Sequence, residues 1–326
     1  MAAPILEVRD LAKHFPLRSG LLRRVTGVRK ALDGVDLALA DGECLGIVGE
    51  SGCGKSTLAR TLMQVWPATR GQVLVRGEDG RVRDWATLRG PGLTAARRAA
   101  SMVFQDPYGS LNPRLTVGES ITEPLVVCGA DRSEREARAA ELVRAVGLQP
   151  EHLRRYPHAF SGGQRQRIVI ARALALRPRL LVCDEPVSAL DVSVQAQVLN
   201  LLGTLRRDFR LTMLFITHDL KVVRHLCDRV AVMYAGRIVE EAPTARLFAA
   251  PRHPYTRALI AAAPSPDPTV RSRRELLGGE VPDPARPAPG CAFAPRCPKA
   301  TAVCTAALPP LDVEPGGHRA RCLSPG

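Results

Sequence analysis

A glycine-rich run containing one lysine is the clearest sign of chemistry in the sequence. It reads Gly49-Glu50-Ser51-Gly52-Cys53-Gly54-Lys55-Ser56, the spacing G-x-x-x-x-G-K-[ST]. Glycines let a backbone wrap closely around phosphate oxygens and direct N–H groups at them. Lys55 would reach the outer phosphates of a nucleotide, and the Ser56 hydroxyl would bind Mg²⁺; the alternative is an accidental glycine-rich turn. The residues that we expect at the nucleotide are Gly49, Ser51, Gly52, Gly54, Lys55, Ser56 and Thr57.

Two adjacent carboxylates end a second apolar run, RLLVCDE (Arg179–Glu185). An acidic residue at the end of a parallel strand beside the phosphate loop can hold Mg²⁺ through water, and Asp184 has that place. Glu185 follows directly, where a carboxylate can face the γ-phosphate and polarise the attacking water. The alternative is a helix-capping pair before Pro186.

Four cysteines crowd into the end of the chain with the spacing C-x5-C-x6-C-x17-C. Structural zinc sites usually show C-x2–4-C pairs, which are absent here, and disulfides do not suit a reducing cytoplasm. The cluster predicts a metal that holds a small module together, and four thiolates suit either Zn²⁺ or a [4Fe–4S] cluster. Four unpaired thiols are the alternative. The residues concerned are Cys291, Cys297, Cys304 and Cys322.

Segments of strand and helix character alternate around these motifs, which predicts an α/β fold with a largely parallel sheet. The phosphate loop lies between a strand and a helix, the context that its motif requires. The predicted strands are Ile5–Leu11, Val35–Ala40, Glu43–Gly49, Ala99–Gln105, Arg179–Glu185 and Thr212–Asp219, with a hairpin over Arg229–Ala242. The predicted helices are Lys55–Trp66, Ser133–Leu148, Gly162–Leu176 and Val192–Phe209.

The composition divides the chain in two. We expect a nucleotide-binding domain over residues 1–250, with a helical subdomain at about 106–177, and an extension over residues 251–326 that carries the cysteines. Proline becomes frequent after Pro243, and Pro264 to Pro289 has the composition of an extended linker.

Bulk properties exclude several classes of protein. No run of about 18 apolar residues occurs among the 326, so no bilayer span is expected, and the first residues lack a secretory pattern. The formal charge of +14 allows acidic partners, but aromatic residues make up only 4%, too few for base-stacking platforms. We expect a cytoplasmic protein that reaches a membrane only through a partner and binds no nucleic acid.

Further motifs give the sequence a specific resemblance. Phe160-Ser161-Gly162-Gly163-Gln164 opens a helix before Asp184, and the chain resembles the ATP-binding cassette (ABC) ATPases from about Phe15 to Glu240. The resemblance implies a P-loop NTPase with a RecA-like core, an antiparallel β subdomain and a helical subdomain, using ATP and Mg²⁺. It assigns Phe15 to adenine stacking, Gln105 to the Q-loop, Ser188-Ala189-Leu190-Asp191 to the D-loop and His218 to the switch histidine.

The same resemblance implies two ATPases that meet head to tail. The motif Ser161, Gly162, Gly163 and Gln164 would then clamp the ATP of the partner. Glu185 would be the general base, His218 would hold the γ-phosphate, and Gln105 would sense Mg²⁺ and the attacking water. Phe160 departs from the family, in which leucine is commonest at this place.

Four longer passages resemble one branch, the ATP-binding subunits of oligopeptide and dipeptide importers, nearer the second of their two ATPase types. This resemblance implies a heterodimer with a second ATPase, two membrane permease subunits, an external solute-binding protein, a place at the cytoplasmic face of the membrane and a [4Fe–4S] cluster in the extension. The passages are Val103–Ile121, Arg155–Ile168, Cys183–Leu202 and His253–Pro264.

Other functions remain as alternatives. The same motor could serve nickel or another small solute. A soluble ABC ATPase of translation or DNA repair usually has two cassettes or a long coiled coil, whereas this chain has one phosphate loop and no sustained heptads. Exporters usually fuse membrane spans to the cassette, and a P-loop kinase has no need of the FSGGQ or SALD motifs.

Overall fold

Helices and strands alternate along most of the chain in the computed structural model. The structure describes residues 4–20, 24–77, 79–262, 283, 285, 289–314 and 316–324. The strands are β1 (Leu6–Ser19), β2 (Arg24–Leu39), β3 (Cys44–Val48), β4 (Arg70–Arg76), β5 (Val82–Asp84), β6 (Ala100–Val103), β7 (Leu180–Asp184), β8 (Thr212–Ile216), β9 (Arg229–Tyr234), β10 (Arg237–Pro243), β11 (Asp312–Val313) and β12 (Arg319–Ala320).

The helices lie between these strands and after them. They are α1 (Lys55–Leu62), α2 (Gly90–Ala99), α3 (Pro107–Ser110), α4 (Val117–Val127), α5 (Arg132–Ala145), α6 (Gly162–Ala173), α7 (Val192–Asp208), α8 (Leu220–Leu226), α9 (Thr244–Ala249), α10 (Pro254–Ala262) and α11 (Ala302–Ala306). Short 3₁₀ turns occur at Pro150–Arg154, Pro157–Ala159 and Ala294–Arg296.

The chain passes between two units. We name the units for their places in the sequence. The central unit comprises Ala40–Glu43 and Leu88–Phe215, and the flanking unit comprises Pro4–Leu39, Cys44–Thr87 and Ile216–Gly326. The phosphate loop and the cysteine-bearing extension thus belong to the same unit, although they lie far apart in sequence. The boundary predicted near residue 250 stays a prediction.

The antiparallel sheet of the flanking unit has the order β2-β1-β4-β5. Its register pairs Leu6 with Leu39 and Val8 with Leu37, and these side chains are buried on one face. The expected antiparallel strands are therefore present, but β1 and β2 continue far beyond the predicted ends. Their outer parts have few buried residues, so the ladder continues where no hydrophobic alternation marks it.

The second sheet segment of the flanking unit carries the phosphate loop. Its strand order is β11-β12-β10-β9-β3, and β3 pairs with β9 in parallel. Every residue of β3 is buried, as expected for a strand covered on both faces. The hairpin between β9 and β10 is confirmed: Ala235 and Gly236 both have positive φ, 45° and 78°, as a two-residue turn of the primed kind requires.

The central unit combines the strands β6, β7 and β8 with helices α2 to α7. The order is β8-β7-β6, with β6 parallel to β7. Buried Arg138 of α5 stabilises the end of α6, because its guanidinium donates to the carbonyls of Leu174 and Ala175 at 2.6 and 3.1 Å. These two bonds satisfy carbonyls at the C-terminal end that the helix itself leaves open.

The predicted types of the elements agree with the structure more closely than their predicted ends do. The α/β class is confirmed. The helix predicted to reach Trp66 ends at Leu62, because Gln64 has a left-handed φ of 54° that stops it. The linker predicted over Pro264 to Pro289 lies almost entirely outside the described residues. Among the residues that the structure describes, no helix is long and apolar enough to cross a membrane.

A buried carboxylate ties the extension to the rest of the flanking unit. Glu240 of β10 is fully buried and accepts hydrogen bonds from the backbone N–H groups of Arg252 and His253 at 2.7 and 2.8 Å. Its carboxylate also lies 2.7 Å from Nε2 of buried His318. Residues before and after the linker are therefore held by one side chain.

We expect Glu240→Ala to lower the free energy of unfolding by about 3 kcal/mol or more, since the N–H groups of Arg252 and His253 would lose their acceptor and buried His318 would lose its partner. Glu136→Ala is the control, because Glu136 pairs with Arg132 at an exposed site and should cost less than about 1 kcal/mol. Urea unfolding of both variants measures the difference. Equal losses would contradict this role of Glu240.

Candidate nucleotide-binding site

The phosphate loop is shaped by close backbone contacts. It leaves β3, turns through Gly52 and Gly54, and enters α1 at Lys55. Gly54 precedes the helix with a φ of 110°, and a Cβ there would lie 2.5 Å from the carbonyl oxygen of Ala31. No other residue type fits this position without moving the backbone. The N-terminus of α1 consequently faces the loop, an arrangement that suits phosphate binding.

Lys55 lies across the loop. Its side chain is buried, and Nζ donates to the carbonyl oxygens of Gly49 at 2.8 Å and Glu50 at 3.0 Å. The ammonium group is thus held where phosphate oxygens could compete for it. Ser51 and Gly52 are exposed at the tip of the loop, and Ser56 and Thr57 occupy the first turn of α1, half-buried.

Two further predicted residues lie in the flanking unit. Phe15 packs edge-on against Trp66 with ring centroids 5.3 Å apart, and Nζ of Lys13 lies 5.0 Å from its centroid. His218 is exposed directly after β8. The N–H of neighbouring Thr217 donates to the carbonyl oxygen of Ile47 in β3 at 3.1 Å, so the histidine segment runs beside the strand that leads into the phosphate loop.

The acidic residues lie in the central unit. Asp184 is buried at the end of β7, and Glu185 follows it in the left-handed region with a φ of 49°. That conformation costs a residue with a side chain about 1 kcal/mol or more. Oε2 of Glu185 lies 3.4 Å from Nε2 of Gln105, which follows β6. The structure therefore brings together the expected Q-loop glutamine and the expected general base.

The signature motif forms the start of α6. Ser161 is exposed and caps the helix: its Oγ accepts from the N–H of Gln164 at 3.4 Å, and the Gln164 side chain accepts from the N–H of Ser161 at 3.1 Å. Gly162 and Gly163 form the first turn, a helix N-terminus suited to an anion. The predicted phosphate clamp therefore has the local geometry that its sequence indicates.

The D-loop aspartate caps α7. Oδ1 of Asp191 accepts from the N–H of Val194 at 3.0 Å and from the hydroxyl of Ser193 at 2.8 Å. The bond from the Val194 amide is the main cause that holds the pKa of Asp191 below its usual range, so this carboxylate stays charged at pH 7. Helices α6 and α7 are linked nearby, where Arg167 donates to Gln197 at 3.3 Å.

The four tail cysteines face one partly open pocket, which His253 and Phe293 also line. The backbone N–H of Cys291 donates to the carbonyl of Cys304 at 2.7 Å. Burial raises the pKa of Cys291 and of Cys322, whereas a hydrogen bond with Thr301 lowers the pKa of Cys304. Burial also lowers the pKa of His253 to about 4, so its ring is neutral at pH 7.

The thiols fit a soft-metal centre in type and number, and they line one pocket. Across the described parts of the chain, however, no three His, Cys, Asp or Glu side chains come together as a group that could hold a metal ion. The donor set is present, but it does not close into a ligand sphere.

Sequence reasoning missed two residues that touch the phosphate loop. Tyr255 and Arg296 of the extension both contact Glu50. Tyr255 lies in a passage that carried the family resemblance, but no local pattern connects it with a loop about two hundred residues earlier. Arg296 directly precedes Cys297, and the sequence around it predicted only a metal site.

Comparison with known proteins agrees with this geometry. Residues 32–188 match the family described as ABC transporter, and residues 239–304 match the family described as oligopeptide/dipeptide transporter, C-terminal region. A peptide ABC transporter ATP-binding protein of Sinorhizobium fredii is 54% identical over 325 residues, 99% of this chain and 90% of that protein. The oligopeptide transport ATP-binding protein AppF of Bacillus subtilis is 49% identical over 98% of this chain and 96% of its own length.

The chain belongs to the ATP-binding subunits of peptide ABC transporters. Solved structures agree: an ATP-binding cassette dimer bound to ADP and Pi is 30% identical, with a TM-score of 0.63 over 73% of this chain and 98% of that one. A cassette from an ABC transporter complex of Clostridium perfringens is 28% identical, with a TM-score of 0.63 over 76% and 91% of the two chains. The expected P-loop ATPase fold and the activity of this ATP-binding subunit, ATP hydrolysis that drives transport, are thereby confirmed.

We expect Glu185→Gln in this subunit to lower the rate of ATP hydrolysis about a hundredfold or more, because the amide keeps the shape of the side chain but cannot take a proton. ATP binding should persist. Phosphate release and fluorescent-nucleotide binding measure the two properties in the assembled transporter. Asp208→Asn, at the exposed end of α7, is the control. Near-normal turnover in Glu185→Gln would contradict its role as the base.

Proposed function

We propose that this chain is a motor subunit of an importer for dipeptides or oligopeptides. Binding and hydrolysis of ATP would drive a conformational change in separate membrane subunits. The observation that carries the proposal is the match of residues 239–304 to the oligopeptide/dipeptide transporter C-terminal region, which follows the ABC transporter match over residues 32–188. That match favours peptides over nickel or another small solute, and the combination does not suit a soluble ATPase of translation or DNA repair.

The flanking unit would supply most of the nucleotide contacts. Phe15 would stack on adenine, and the loop residues Gly49, Ser51, Gly52 and Gly54 would surround the phosphates. The buried position of Lys55, bonded only to carbonyl oxygens and a nearby thiol among its described contacts, supports its exchange onto phosphate oxygens. Ser56 and Thr57 stand at the helix N-terminus, where hydroxyls can reach Mg²⁺ and phosphate.

The central unit would supply the hydrolytic groups. Asp184 would hold Mg²⁺ together with Ser56 and Gln105, and Glu185 would take the proton of the attacking water. The contact of 3.4 Å between Gln105 and Glu185 supports a shared task at that water. His218 would hold the γ-phosphate, which its exposure beside the phosphate-loop strand permits.

A second ATPase would complete each site. The exposed Ser161 at the start of α6, with Gly162, Gly163 and Gln164, would clamp the ATP of the partner, and Asp191 would lie in the same interface. The related cassette bound to ADP and Pi was solved as a dimer. We infer a heterodimer with a second ATPase subunit, beneath two permease subunits fed by an external solute-binding protein. The complex would place this chain at the cytoplasmic membrane face.

The extension would hold a [4Fe–4S] cluster, or alternatively Zn²⁺, through Cys291, Cys297, Cys304 and Cys322. Four soft thiols around one pocket support this proposal. When bound, such a centre would supply cross-links between separated parts of the chain rather than redox chemistry. The residues themselves order the module: a backbone hydrogen bond joins Cys291 to Cys304, and β12 pairs with β10.

Ser161→Arg tests the arrangement of the dimer. The larger charged side chain should block the clamp, so hydrolysis by the assembled transporter should fall about tenfold or more, whereas the subunit should bind its own ATP normally. Equilibrium binding of a fluorescent nucleotide to the isolated full-length subunit measures the second property. Loss of ATP affinity in the isolated subunit would contradict a head-to-tail site.

Purification without oxygen tests the metal proposal. The subunit should be brown, absorb broadly near 400 nm and contain about four irons per chain, because thiolate-to-iron charge transfer colours such clusters. Colourless protein with one zinc per chain would reject the cluster and retain the metal module. Metal-free protein with all four tail thiols titratable would reject both.

A further inference from the structure

Glu50, the second residue of the phosphate loop, is held at each of its polar groups. Its carbonyl oxygen accepts from Nζ of Lys55 at 3.0 Å, within the loop. Its other two groups contact the extension: the backbone N–H donates to Oη of Tyr255 at 2.8 Å, and the carboxylate accepts both Nη groups of Arg296, at 2.9 and 3.1 Å. The extension therefore fixes the backbone and the side chain of one loop residue together.

Tyr255 contacts the loop from a buried aromatic cluster. Its ring lies 4.6 Å from that of Tyr234 and 5.5 Å from that of Phe293, centroid to centroid. All three rings are almost fully buried. We call the part of the extension from Cys291 to Cys322 the cysteine module. Phe293 belongs to this module and Tyr234 to β9, so the cluster packs the module against the strand next to β3. A tyrosine fixed in this way has little freedom to follow a moving loop.

Arg296 reaches the loop from inside the cysteine module. It ends the 3₁₀ turn Ala294–Arg296 between Cys291 and Cys297, and its side chain is only 6% exposed. Nη1 also donates to Oη of Tyr234 at 3.2 Å. A planar guanidinium that grips a carboxylate with two parallel bonds sets the direction as well as the charge of its partner. The conformation of the turn between these cysteines therefore decides where the Glu50 carboxylate points.

Because Glu50 is negatively charged, its ion pair with Arg296 affects how the loop binds phosphate. A carboxylate in a loop that receives polyphosphate repels the ligand, and the repulsion is strong where water is scarce. Arg296 offsets that charge. The side chain of Glu50 is 27% exposed, so solvent alone screens it incompletely.

We propose that Arg296 and Tyr255 are positioning residues of the phosphate loop, through which the conformation of the cysteine module sets the affinity of the subunit for ATP. The inference rests on the proposed role of the loop in binding the phosphates. Neither residue needs to touch the nucleotide, because both act on Glu50. Disturbance of the module would lower ATP affinity by releasing Glu50 into the phosphate site.

Arg296→Ala in the full-length subunit should weaken ATP binding about fivefold or more, the range of a typical coupling between sites. The decisive variant is the double substitution Arg296→Ala with Glu50→Gln, which removes the uncompensated charge. Its affinity should return most of the way to that of the parent. Fluorescent-nucleotide titration measures all of these affinities, and the ATPase of the assembled transporter should show a raised KM with kcat nearly unchanged.

Two further variants sharpen the test. Tyr255→Phe keeps the ring in the cluster and removes only the acceptor of the Glu50 N–H, so it should weaken ATP binding about two- to tenfold. Arg257→Ala is the matched control, since this arginine of α10 is exposed and donates to the carbonyl of Pro251. It should bind ATP like the parent.

The outcomes separate this inference from the proposed function. If Lys55→Ala leaves ATP binding intact, the phosphate loop is not the site and both ideas fail. If Lys55→Ala abolishes binding but Arg296→Ala does not change it, only the positioning role is overturned. A loss of affinity in Arg296→Ala that Glu50→Gln fails to restore also overturns it, because a merely structural collapse of the module would not respond to the charge of Glu50.

Discussion

The close approach of the phosphate-loop backbone to its neighbours is the constraint on which the site depends. A Cβ at Gly49 would lie 2.2 Å from the carbonyl oxygen of Met233 in β9, and one at Gly54 would lie 2.5 Å from that of Ala31 in β2. The backbone of the loop is therefore packed tightly against two strands that belong to different sheets. This close packing sets the positions of Lys55 and the start of α1. It also sets the position of Glu50, the loop residue that the extension contacts.

What could be predicted from the sequence is what neighbouring residues determine. The strand, loop and helix around Lys55, the cap formed by Ser161 and the turn at Ala235-Gly236 each follow from a few consecutive residues, and each is present. The pairing of Glu50 with Arg296 spans 246 positions. It depends on how the extension packs, which no spacing or periodicity encodes, and the outer parts of β1 and β2 escaped prediction because they bury little.

At the acidic residues of the site, the backbone adopts an energetically unfavourable conformation. Glu185 is held in a left-handed conformation directly after the buried strand β7. Such a conformation persists only where the surroundings over-determine it. Buried Asp184 before it and the buried Pro186 after it leave the backbone little choice. These neighbours thus hold the carboxylate at the end of the strand, near Gln105, against the cost of the left-handed conformation.

The return of the extension to the phosphate loop also bears on biosynthesis. A ribosome makes Glu50 246 positions before Arg296, and β12, which pairs with β10, is made later still. The nascent chain can form β3 and α1 long before the arginine that neutralises Glu50 exists. Nucleotide affinity in its mature form would then arise only after Arg296 has been made and has paired with Glu50, so that chains interrupted before Arg296 would bind ATP more weakly.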